Sequence, residues 1–71
     1  MKIHLQGIGE KPAIYAKDLK PGDIIICNFG FIQTVTEIRK RSEKSIFVTV
    51  QSESGKLYEK RYLNTRLVAI K

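Results

Sequence analysis

The run Arg39-Lys40-Arg41-Ser42-Glu43-Lys44 places four cations within six residues. Farther along, Tyr58-Glu59-Lys60-Arg61-Tyr62 sets two rings around two more cations. Lys and Arg side chains hold phosphate oxygens and release the counterions condensed around them, which gives a salt-dependent affinity for polyanions. Aromatic rings stack on unpaired bases while neighbouring cations hold the backbone, the pattern suited to a single strand or an open loop of nucleic acid. Alternation along a strand puts Tyr58, Lys60 and Tyr62 on one face. Arg39, Lys40, Arg41, Lys44, Tyr58, Lys60, Arg61 and Tyr62 are therefore the candidate nucleic-acid-binding residues, for DNA or RNA. The same residues have a structural reading. A basic loop keeps a hydrophobic hairpin from aggregating, and tyrosines cover a core with their hydroxyls in water.

Catalytic chemistry finds less support. His4 is the single histidine and Cys27 the single cysteine, so no pair stands at zinc-ligand spacing and no metal or other cofactor is expected. A Cys27–His4 dyad would need the two to meet, whereas the Ile26–Asn28 flanks read as a buried thiol. Asp18/Asp23 and Glu37/Glu43 show no spacing that singles out acid–base work. The glycines of Gln6-Gly7-Ile8-Gly9-Glu10-Lys11 lack the lysine-serine ending and strand–helix setting of a phosphate loop. The expectation is a non-enzymatic binding module.

Charge distribution supports the basic reading. The net charge is +6 over 71 residues. Residues 1–36 carry four cations against three carboxylates, and residues 37–71 nine against four. That regional excess favours a polyanionic partner. With one cysteine there is no internal disulfide framework. No apolar segment approaches the ~20 residues of a membrane span, and the first ten residues lack the apolar centre of a signal peptide. A cytoplasmic protein without membrane contact is expected.

A chain of this length forms one domain and buries only about 60% of the surface its unfolded form exposes. The elements must therefore be short. Asp18 or Lys17 opens a brief helical turn that Pro21 stops, and Ile24-Ile25-Ile26 reads as a β-branched strand covered on both faces. Asn28-Phe29-Gly30 reverses the chain, with Gly30 at positive φ. Phe31–Arg41 is a second strand whose Val35 and Ile38 fall out of alternation, so a bulge near Thr36 and Glu37 must return both to the core. In Ser45–Gln51, Ile46, Val48 and Val50 face inward and Phe47 outward. Ser52–Lys56 is a hairpin loop with Gly55 in a left-handed conformation. Lys56–Leu63 and Arg66–Lys71 supply the last two strands. Residues 1–14 read as an N-terminal arm or short strand, and 15–71 as the domain proper.

The order Leu19-Lys20-Pro21-Gly22-Asp23, then Ile24–Gly30, Thr34–Ile38, Ser45–Tyr58 and Arg66–Ile70 resembles the small SH3-like barrels, including the KOW-type barrels of translation and transcription proteins. In style the chain also resembles short phage- and prophage-encoded proteins. Gly30 stands where the motif glycine would, with Phe29 and Phe31 in place of the charged residues usual beside it. The resemblance covers about residues 15–70. It implies an all-β fold, here a five-stranded SH3-like barrel with an N-terminal arm. It also admits a second function, an accessory module docking on a host or viral protein, possibly as an inhibitor, with Phe29 and Phe31 as its apolar anchor. The chain is expected as a monomer or homodimer.

Overall fold

The computed structural model describes residues 1–71 and is all-β apart from one single-turn 3-10 helix, Ala16–Asp18, and a tight turn at Asn28–Gly30. Seven strands follow in chain order: β1 (Lys2–Leu5), β2 (Gly9–Tyr15), β3 (Ile24–Ile26), β4 (Ile32–Arg41), β5 (Ser45–Ser52), β6 (Leu57–Leu63) and β7 (Leu67–Ala69). They form two antiparallel sheets, β1-β2-β7 and β3-β4-β5-β6. The five-stranded closed barrel expected from the sequence is thus replaced by two sheets. One isolated bridge, Ile25 to Ile70, and the bond from Lys71 N to Ile24 O join them. β1 and β6 are left as free edges. No ladder joins β6 to β1 or β7; a cleft of about 370 Å3 lies between them, lined by Leu5, Cys27, Tyr62 and Arg66 among others. No helix is long and apolar enough to cross a membrane.

The segment read as an arm or short strand is a hairpin. Ile3 and Leu5 set up β1, and Lys2–Leu5 pair with Gly9–Pro12. β2 then continues past Pro12 to pair Ala13–Tyr15 with Leu67–Ala69. Pro12, which has no N–H, sits on a strand with pairing on both sides but gives its carbonyl to Ile70 N at 3.0 Å.

The interior is built from alternation. Ile46, Val48 and Val50 of β5 are fully buried, with Val35 of β4 and Ile25 of β3 against them. Ladder register explains why β4 serves this core despite its irregular pattern. Val35 pairs with Val50 and Glu37 with Thr49, so Thr36 is the extra residue of a bulge, where the sequence requires one. Gly30 and Gly55 take φ of 85° and 89°, as their turns require.

Leu19 closes one end of the core. The turn Ala16–Asp18 carries it in, and it is the largest side chain with no exposure at all. Truncating it leaves a cavity that β-strands cannot collapse to fill. Leu19→Ala is expected to cost about 3 kcal/mol, a large share of the roughly 4–10 kcal/mol available to a domain this small. The shift of the urea midpoint measures it.

Candidate nucleic-acid interface

β4 carries a second bulge that the sequence pattern does not announce. Ile38 pairs with Val48 and Lys40 with Phe47, leaving Arg39 as the extra residue. Its consequence is a change of face. Without it, Lys40 would follow Ile38 inward and Arg41 would point out. With it, Lys40 shares the outer face with Phe47, and Arg41 shares the inner side with its partner Ile46. Three adjacent cations are thereby given three different surroundings.

Arg41 reaches across to the turn that carries Leu19. Its Nη1 donates to Lys17 O at 2.7 Å and its Nη2 to Leu19 O at 3.1 Å. The guanidinium thus satisfies carbonyls at the end of the 3-10 turn, where no backbone donor serves them. Arg39 lies on the surface between Glu37 (3.4 Å) and Glu59 (3.6 Å), all three well exposed. Such pairs are weak and readily exchanged. Lys40 makes no ion pair.

On the outer face the register sets Lys40, Phe47 and Arg61 in one row across β4, β5 and β6. Phe47 is half-buried between two exposed cations. Together with Arg39 and Glu59 they line an open groove of about 470 Å3. Lys44 stands at the same end of the sheet, in the turn that joins β4 to β5. That turn is clamped. Asn64 Nδ2 donates to Ser42 O (3.1 Å) and Glu43 O (3.0 Å), and Asn64 N donates to Lys44 O (2.8 Å). Ser42 Oγ donates to Ser45 O and accepts from Ser45 N. The cations that meet around the groove are therefore Arg39, Lys40 and Arg61, with Lys44 in the turn at the same end of the sheet.

The other expected residues lie elsewhere. Tyr58, Lys60 and Tyr62 do share one face, but it is the face that also carries Val50, Val48 and Ile46. Tyr62 is only 8% exposed, so it is a core ring and cannot stack on a base. Lys60 is half-buried above the same core. Tyr58 is exposed at the far end, where it lines a second cleft with Phe31 and Ser52–Ser54. Phe29 and Phe31 are both exposed. Phe29 adopts a left-handed backbone (φ 64°), held by its N–H donating to Gln6 O at 2.7 Å. His4 is exposed on β1 and Cys27 is a half-buried free thiol. No three His, Cys, Asp or Glu side chains are grouped so as to hold a metal ion.

Phe47 is the site residue that sequence reasoning leaves out of the binding set. Its outward orientation is legible from alternation, but its placement between Lys40 and Arg61 depends on two ladder registers.

Burial raises the Tyr62 phenol above its usual 10.0, with Cys27 adding to the rise and Arg66, 5.6 Å from the ring, opposing it. The folded chain thus holds this proton more tightly than the unfolded chain. The unfolded state loses it first, so stability is complete below about pH 10 and declines as pH climbs further. Tyr62→Phe is expected to make that decline shallower in urea unfolding followed from pH 8 to 11. Arg41→Ala should lower stability by about 1–3 kcal/mol through two lost charge-assisted bonds. Arg41→Lys should recover only part, because one ammonium lacks the planar fork.

No protein-family model, curated protein or solved structure matches this chain.

Proposed function

We propose that this protein is a small non-enzymatic module that binds single-stranded or unpaired nucleic acid on the outer face of its four-stranded sheet. The observation that carries the reading is the row Lys40–Phe47–Arg61, a ring with a cation on each side. Phosphates are held by Lys40, Arg61 and Lys44, and a base stacks on Phe47. Arg39 joins them as an incoming phosphate displaces Glu37 and Glu59 from its guanidinium. Of the residues expected to stack, Tyr62 is withdrawn into the core, and Tyr58, on the opposite face at the far end of the sheet, lies outside this row. The resemblance to SH3-like, KOW-type modules of translation and transcription proteins points the same way, and a cytoplasmic location belongs to this proposal.

A protein partner is the second reading, favoured by Phe29 and Phe31 exposed at one tip with Tyr58 beside Phe31. An apolar anchor of that kind fits an accessory module, of phage or host origin, that docks on another protein.

A titration of a labelled oligonucleotide at increasing salt separates the two. Three phosphate contacts on a single strand predict a log–log slope of about −2. Lys40→Ala and Arg61→Ala should each weaken binding and flatten that slope by about 0.7. Phe47→Leu should weaken binding roughly fivefold or more with the slope unchanged, because stacking releases no counterions. Arg41→Ala should leave the slope as it is. Absence of binding at low salt, or a slope of zero, removes the nucleic-acid reading.

A further inference from the structure

β6 is an edge strand whose sequence reads alike in both directions. Leu57-Tyr58-Glu59-Lys60-Arg61-Tyr62-Leu63 is symmetric about Lys60, with Glu59 and Arg61 as complementary rather than identical partners. We propose that β6 pairs antiparallel with β6 of a second copy of this chain, on a two-fold axis through Lys60, joining two four-stranded sheets into one of eight strands.

The backbone at this edge is available. Ser52 N donates to Lys56 O and Asn64 N donates to Lys44 O, so the even-numbered residues of this stretch bond toward β5. Antiparallel pairing alternates, so Leu57, Glu59 and Arg61 turn their N–H and C=O groups to the open side. No backbone bond outside the sheet ladders involves residues 57–62. A copy turned by two-fold symmetry sets Glu59 against Arg61 of the second copy, twice, in the narrow hydrogen-bonded pairing. The same register sets Leu57 against Leu63 and Tyr58 against Tyr62. Leu57 and Leu63 are 64% and 55% exposed, and the pairing covers both.

The registers two residues away are worse. One sets Glu59 against itself and Leu57 against Arg61; the other sets Arg61 against itself and Leu63 against Glu59. A two-fold axis perpendicular to the sheet keeps faces matched, so one-residue slips do not arise. Lys60 meets its own copy on the axis. A lysine in mid-edge commonly protects against pairing; here its long stem lets the two ammonium groups diverge while two ion pairs and two leucine pairs flank them. In the dimer Glu59 moves from Arg39 toward Arg61 of the copy, which leaves Arg39 with Glu37 alone on the shared outer face. The pairing draws on Arg61, which the proposed phosphate contact also uses, so the second copy and a bound strand share that side chain.

Sedimentation velocity on nuclease-treated protein over a range of concentrations tests it. Wild type should show a monomer–dimer equilibrium. Glu59→Arg and Arg61→Glu, each checked for an unchanged far-UV spectrum, should each weaken the dimer about tenfold by opposing like charges across the pairing. The double exchange E59R/R61E should restore it. Lys60→Thr should tighten it by removing the like-charge contact on the axis. Wild type monomeric at every concentration overturns the proposal. So do a dimer indifferent to the single reversals, a double exchange that fails to restore it, and a dimer that Lys60→Thr does not tighten.

Discussion

The two bulges of β4 are the constraint on which the rest of this molecule depends. A regular strand from Ile32 to Arg41 would present Val35 and Ile38 to opposite faces, and the sheet would lose one of them from its core. The extra residue at Thr36 returns both to the interior beside Val50 and Val48. It also bends the strand, as an unpaired residue does. The extra residue at Arg39 then reverses the sense once more before the strand ends. Core packing and surface chemistry are set by the same backbone irregularities.

That second reversal divides a uniform basic run into different kinds of work. Arg41 is drawn to the turn bearing Leu19, where its planar fork suits two carbonyls at once. Lys40 is turned to the opposite side, into line with Phe47 and Arg61. Arg39, at the bulge itself, falls between two carboxylates. The turn after Arg41 is fixed in its place by Asn64, a residue of the turn between β6 and β7, so Lys44 stands on a held loop rather than a loose one. A groove with cations on fixed elements can meet a polyanion without first ordering itself, which limits the entropy lost on binding.

The sheets stop short of closure, and the open seam has its own chemistry. Tyr62 fills the inner side of β6 with Arg66 over its ring, and the cleft between β6 and β1 remains. Side chains rather than ladder bonds face each other there. A barrel that closed would have no edge to offer. This one keeps β1 and β6 unpaired, and the symmetry of the β6 sequence bears directly on that free edge.

Much of this was legible in the residues alone. Inward alternation in Ser45–Gln51, the need for a bulge at Thr36, the two glycine turns and the all-β class follow from local sterics, because strand periodicity and turn conformation are decided by neighbours in the chain. The division of Tyr58, Lys60 and Tyr62 from Leu57, Glu59, Arg61 and Leu63 follows likewise. Which of those two faces meets the core does not, since either carries rings or leucines enough to be buried; pairing with Ile46, Val48 and Val50 decided it. The hairpin status of the first fourteen residues, the gap between the sheets, and the separate fates of Arg39, Lys40 and Arg41 were also settled only by tertiary structure. Each depends on hydrogen-bond register between strands distant in sequence, and register is a property of pairs that no single stretch of chain contains.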